Sequence, residues 1–171
     1  MALLPIWRSI ETKLHGIVLV MALTLVCTSP WILIGKQLRS NAGFWDIFHV
    51  YGGLFTAVIA VLFAIKVCVK GQWRLFFPWL VADFNQLNAD ISGMVKGRLP
   101  LSGGQGLLSV IEGVGVILLL LVALSGVIWY LADPSDALMW RSYHQVLAQG
   151  FIGFVVIHVL LALLHIRDFF G

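Results

Sequence analysis

The sequence predicts an all-α integral membrane protein, a four-helix bundle with its N- and C-termini in the cytoplasm. Composition is the first observation. Of 171 residues, 60% are apolar and 11% charged, with a mean hydropathy of +0.98, whereas soluble domains carry roughly a quarter charged residues. Clustering of the charges is the second: stretches free of Asp, Glu, Lys and Arg run over 14–35, 47–65, 113–132 and 142–166, or 22, 19, 20 and 25 residues. Each is long enough to cross a hydrocarbon core ~30 Å thick. The third is charge asymmetry. With the N-terminus inside, Arg8, Lys13, Lys66, Lys70, Arg74, Lys96, Arg98 and Arg167 fall on the inner side, against Lys36, Arg39 and Arg141 outside. Cytoplasmic loops collect the positive residues, which sets this orientation.

The first span, 14–35, follows Arg8, Glu11 and Lys13. Its apolar run outlasts a signal-peptide core and lacks an A-x-A site, so it is expected to stay as a helix. The second runs over about 47–69, the third over 107–132 and the fourth over 142–166, all in a single membrane domain. None shows the period-2 alternation of barrel strands, and helices satisfy their own backbone in lipid. Between the second and third spans lies a cytoplasmic loop over about 70–106. Its segment WRLFFPWLVADFNQLNADISGMV mixes aromatics with Asp83 and Asp90, which predicts an amphipathic stretch on the inner surface. A turn through LPLSGGQG follows. With this topology all seven tryptophans fall at the membrane interfaces, where indole rings favour the headgroup zone.

The length leaves no room for a soluble catalytic domain, so any bulky chemistry must come from a cofactor or a partner. A net charge of +3 and pI near 9.1 are explained by topology, and no nucleic-acid partner is indicated. Cys27 and Cys68 sit at different depths of adjacent antiparallel spans, which predicts no disulfide. They read as small buried apolar filler. With no CxxC or CxxCH, the ligands of thiolate zinc sites, iron–sulfur clusters and c-type haem attachment are lacking.

His15, His49, His144, His158 and His165 all lie in or at the ends of the spans, where ionisable residues are costly and mark function. One alone would read as a structural histidine bonded to a neighbouring helix; the set is more specific. His144 and His158 are 14 residues apart, four turns of the 3.5-residue repeat, so both face one seam. The rise between them is ~21 Å. In antiparallel topology His49 starts the second span at the depth of His144, and His15 starts the first at the depth of His158. Paired imidazoles on facing helices suit low-spin haem b, with one ligand on each side of the iron. Zinc would need further donors at one depth, and none is placed there. Gly16, Gly52, Gly53, Gly150 and Gly153 could give a porphyrin clearance, and Gly113, Gly115, Ser125 and Gly126 could pack the third span against both haems. Small residues are also common at helix contacts in membranes.

His15 in KLHG, His49 in FHVYGG, the GGQG turn before a span without histidine, and HQVLAQGFIGFVVIH on the fourth resemble the dihaem cytochrome b subunits of bacterial respiratory oxidoreductases. These include the formate dehydrogenase gamma subunit, thiosulfate reductase cytochrome b and the bacterial cytochrome b561 group. The resemblance covers nearly the whole chain and implies two haem b groups in the inner membrane, ligated by His15 with His158 and His49 with His144. It further implies electron transfer between the quinone pool and a peripheral iron–sulfur, molybdopterin or hydrogenase-type redox subunit. The third span lacks histidines found there in some cytochrome b561 members, which leans toward the respiratory-complex subunit. A stand-alone cytochrome b561-type quinone oxidoreductase, for example one oxidising superoxide, is the alternative. A histidine-relay transporter is disfavoured, because no inverted repeat is evident.

Around the haems, Arg141, Lys36 or Arg39 on one side and Arg8 or Lys13 on the other are candidate propionate contacts, or plain topology charges. Glu112, the acid at a span edge, either relays protons to quinone near His15 or pairs with Lys13 or snorkels. His165 suits a quinone hydrogen bond, a propionate contact or a structural role at the interface. The short outer loops are expected to offer little room for a substrate pocket.

Overall fold

A computed structural model describes the backbone of residues 3–69, 73–98, 100 and 106–170, and the side chains of 13–69, 73–98, 100 and 106–163. The described chain is helical, with no strand. Its helices are α1 (Leu3–Thr28), α2 (Phe44–Cys68), α3 (Trp73–Phe76), α4 (Asn85–Val95), α5 (Leu107–Leu131) and α6 (Ala137–Phe170). Four segments are long and apolar enough to cross a membrane: Lys13–Trp31, Phe44–Cys68, Leu107–Leu131 and Ala137–Leu163. Only 6% of the most apolar window of the last is buried within the protein. Residues such as Val20, Phe55, Val58, Val156 and Leu163 therefore present their side chains outward, as lipid rather than water requires.

The charge-free stretch 14–35 outlasts its helix. Pro30 cannot continue an α-helical ladder, and α1 tightens into a 3-10 turn at Ser29–Trp31 before the chain extends at Ile32. Hydroxyls close this end: Thr24 donates to the Val20 carbonyl at 2.7 Å, Thr28 to Thr24 at 2.7 Å and Ser29 to Val26 at 2.8 Å. At the other end of the chain, α6 begins at Ala137, earlier than the charge-free stretch, because the Asp133–Asp136 turn feeds it through backbone bonds to Asp133 and Asp136. Arg141 thereby lies inside the helix, half-buried, one turn before His144.

The chain groups into two compact units, and α5 and α6 contribute a segment to each. The first contains Met1–Lys66 and Leu119–Gln149. Its core joins Val50 of α2, Trp129 of α5 and Ala137 of α6, with Ile34, Leu38, Leu54 and Trp140 against them. Trp129 is 9% exposed and donates its indole N–H to the Gly35 carbonyl at 3.3 Å, so this tryptophan is a packing residue as well as an end marker. The Asp46 carboxylate, in the first turn of α2, accepts the Leu33 N–H at 2.8 Å. An acid suits a helix N-terminus, and here it also ties down the α1–α2 connection.

Unit two contains Val67–Leu118 and Gly150–Gly171. Its long connection is built structure: α3, a 3-10 turn at Pro78–Val81, and α4. Asp90 of α4, 5% exposed, accepts the Leu107 N–H at 2.8 Å and the Gln86 amide at 2.9 Å. A carboxylate 17 positions earlier in the chain thus serves the orphan donors that begin α5. Gly113 has no room for a side chain, since a Cβ there would run into the Phe76 carbonyl. The expected turn through 99–106 falls largely outside the described residues, where only Pro100 and Gly106 are placed.

Cys27 and Cys68 are free thiols, and both are exposed. The expectation of buried filler does not hold, because a small apolar side chain in a membrane helix is equally at home facing lipid.

Candidate functional site

His49 and His144 face one another in the first unit. Their ring centroids are 6.2 Å apart and their planes lie at 82°. His49 stands one turn into α2, after the Asp46 anchor, and His144 stands two turns into α6. Both are half-buried.

The two rings are held differently. His144 Nδ1 lies 3.0 Å from the Val122 carbonyl oxygen and 3.1 Å from Ser125 Oγ, both on α5. A carbonyl only accepts, so Nδ1 carries the proton and Nε2 is left with its lone pair. The Ser125 hydroxyl donates to the same Val122 carbonyl at 2.8 Å. Beside them Gly126 leaves space for the ring: a Cβ there would stand 3.3 Å from His144 Cε1. His49 Nδ1, in contrast, is buried without a hydrogen-bond partner.

This donor set fits a haem iron. Among the described residues no three His, Cys, Asp or Glu side chains converge, so a bare ion such as zinc would lack its ligands. An iron already held by four porphyrin nitrogens needs two axial imidazoles. Two metal–nitrogen bonds of ~2 Å, plus the half-widths of two rings, put trans imidazole centroids ~6 Å apart. The observed 6.2 Å matches that span. A Cβ at Gly53, one turn after His49, would meet nothing within 4 Å, whereas one at Gly52 would touch Leu25 and Phe48. Of the two glycines, Gly53 is the one facing open space.

His15 and His158 belong to different units, and each is anchored by an aromatic neighbour. The His15 ring lies 5.8 Å from Phe63, tilted at 54°. His158 stacks on Phe154 at 5.4 Å and 29°, and Phe154 packs over Gly115, where a Cβ would collide with its ring. Gly113 and Gly115 are thus used for contact with Phe76 and Phe154, while Ser125 and Gly126 reach a histidine. A Cβ at Gly16 or Gly153 would meet nothing within 4 Å, and one at Gly150 only Leu118.

Of the remaining candidates, Lys13 is exposed on α1, and Glu112 is half-buried in the second turn of α5. The His165 side chain lies outside the described ones. The α1–α2 connection, expected to offer little room for a substrate pocket, frames an open cleft of about 220 Å³, below the ~300–1,000 Å³ of typical ligand pockets. Trp31, Arg39, Asn41, Trp45 and Asp46 line it, and Trp31 and Trp45 stand 6.2 Å apart. Spacing gave no signal for this cleft, because it depends on how the chain folds after Pro30.

A family model described as prokaryotic cytochrome b561 matches residues 6–167. No match was found among curated proteins or among solved structures. The match takes in all four apolar helices and all five histidines. The chain belongs to the prokaryotic cytochrome b561 family, as a multi-pass b-type cytochrome of the bacterial inner membrane that binds haem b for electron transfer.

Proposed function

We propose that the chain holds two haem b groups and passes electrons between the quinone pool and a partner redox subunit of a respiratory complex. The observation that carries this reading is the His49–His144 pair, 6.2 Å apart with the His144 tautomer set. His49 and His144 would hold one haem. The second takes His15 and His158 as its ligands, the pair that the sequence resemblance implies. Positive residues place the ends of α1 and α6 that carry His15 and His158 on the cytoplasmic side.

When bound, haem supplies a one-electron couple between ferrous and ferric iron. The chain's own residues do the rest. Histidine rings fix the iron's position and orientation, and the apolar helices exclude water and so tune the potential. Arg141, one turn before His144, and Lys13, ahead of His15, supply cations for propionates at the two surfaces. Glu112 and His165 would exchange protons with a quinone.

Haem stoichiometry tests this reading. Purified protein should give a b-type reduced α-band and a pyridine haemochrome ratio near two. Substituting either histidine of one pair should remove the same haem, and removal of one haem by both His144→Ala and His158→Ala would overturn the pairing.

The cleft framed by Arg39, Asn41 and Asp46 favours a second reading, a stand-alone oxidoreductase. It opens in the unit that carries His49 and His144, and Arg39 would attract a small anionic donor such as superoxide. Haem reduction by superoxide in the isolated chain, lost in Arg39→Ala, would favour it. Co-purification of a redox subunit needed for reduction would favour the first.

A further inference from the structure

The haem-ligating histidines are carried by α1, α2 and α6, which leaves α5 without an evident task beyond filling the bundle. Its hydrogen bonds to His144 assign it one. We infer that Ser125 and the Val122 carbonyl, with Gly126 beside them, are the positioning group for the His144 imidazole and set the redox potential of its haem. This rests on the reading that His49 and His144 share an iron.

Ser125 is the only serine or threonine in the charge-free stretch of α5, and it is 3% exposed. Its hydroxyl hydrogen goes to the Val122 carbonyl at 2.8 Å, so Oγ turns its lone pairs toward the ring. The His144 Nδ1–H therefore points between two acceptors on one turn of α5, at 3.0 and 3.1 Å. Three consequences follow from that geometry. The Nδ1 tautomer is fixed, leaving Nε2 for the iron. Rotation of the ring about its bond to the chain is resisted by two acceptors rather than one. Donation from Nδ1–H makes the imidazole a stronger electron donor, which favours ferric iron and lowers the potential. Gly126 is needed for the approach: a Cβ would sit 3.4 Å from Nδ1 and 3.3 Å from Cε1, tight enough that the ring would have to give.

His49, the partner ligand, has no such acceptor at Nδ1. Tuning of this haem through ligand hydrogen bonding thus falls to the α6 side of the iron.

The test is a redox titration of the haem-loaded, full-length protein in nanodiscs, with low-temperature electron paramagnetic resonance. Wild type, Ser125→Ala, Ser125→Thr and Gly126→Ala are compared. Ser125→Ala should keep both haems, raise the potential of one and shift the resonance signal of that same haem. Ser125→Thr, which keeps a hydroxyl able to reach the i−3 carbonyl, should restore both. Gly126→Ala should move the signal of the same haem through ring orientation. Loss of that haem in Ser125→Ala, with retention in Ser125→Thr, is the same result in stronger form.

Unchanged potentials in Ser125→Ala, equal shifts of both haems, or failure of Ser125→Thr to rescue would overturn the inference. His144→Ala separates this from failure of the underlying reading: if its haem content equals that of wild type, His144 is not a ligand and the inference falls with the assignment.

Discussion

Two stretches of α5 meet the surroundings of the two α6 histidines through different contacts. In the first unit, His144 is held by hydrogen bonds to Val122 and Ser125. In the second, Gly115 admits the Phe154 ring, and Phe154 stacks on the His158 imidazole. A hydrogen bond fixes a tautomer and reaches the iron's electronics through the ligand. An aromatic stack sets the plane of a ring and contributes ~1 kcal/mol beyond its area. One helix without a histidine can thus make two chemically identical side chains unequal. In a chain with two haems, as proposed, such inequality would separate their potentials and so favour one direction of electron flow.

The largest effect should come from the ligands themselves. His49→Ala and His144→Ala should each remove about half of the bound haem, because a single remaining imidazole cannot complete a low-spin site. His15→Ala and His158→Ala should remove the other half. Pyridine haemochrome assays count the loss, and redox titration identifies which component remains. If His49→Ala and His15→Ala remove the same component, the comparison between the two sites collapses, since the pairs would then be mixed.

Packing should give the next largest effect. Gly115→Leu drives a side chain into the Phe154 ring, and overpacking of this kind costs about 1–3 kcal/mol. Its expected signature is a lowered temperature of haem release and a disturbed spectrum for the His158 haem, with the His144 haem unaltered. Gly126→Ala, where the nearest approach is 3.3 Å, should disturb the opposite haem and cost less. Asp90→Ala should destabilise by ~1 kcal/mol, the usual worth of a helix N-cap, because Leu107 N–H and the Gln86 amide lose their acceptor. Thermal melts followed by circular dichroism would register it.

How much of this was written in the sequence follows from what a membrane makes visible. Helices appear wherever charges are absent, because lipid tolerates few of them, so the four long apolar helices were legible. Pro30 and the Asp133–Asp136 turn account for the largest shifts in boundary. The histidines were legible for the same reason: an imidazole among Leu and Val stands out. Contacts between apolar helices were not. In water, an apolar side chain reports burial; in lipid it reports nothing, because tails and core are equally apolar. Hence Cys27 and Cys68 are exposed where burial was expected.

Ser125 carried a faint signal, as the one small hydroxyl in its stretch, but its partner is 19 positions away and no local rule connects them. The Asp90–Leu107 bond and the cleft beside Trp31 depend on loops whose course the spacing does not determine. Of the glycines, only the neighbours separate Gly115, which faces Phe154, from Gly53, which faces open space.

The smallest expected effect concerns protons. If quinone takes electrons from a haem held by His15 and His158, as proposed, it must also take protons, and in a bilayer these must come from a side chain that can hold one. Glu112 is half-buried in the second turn of α5, and His165 follows His158 by seven residues, two turns along α6. Glu112→Gln keeps the shape and a hydrogen bond while removing the exchangeable proton. It should slow quinone reduction three- to tenfold, up to ~1.4 kcal/mol on the barrier, and leave both haem potentials in place. His165→Ala should do the same, and the double variant should slow no further if both residues serve one relay. Stopped-flow oxidation of the reduced haems by a soluble quinone analogue reads this directly. If both variants reoxidise at the wild-type rate while Arg39→Ala does not, quinone reacts beside His49 instead, and the asymmetry between the two α6 histidines would have to drive electrons the other way.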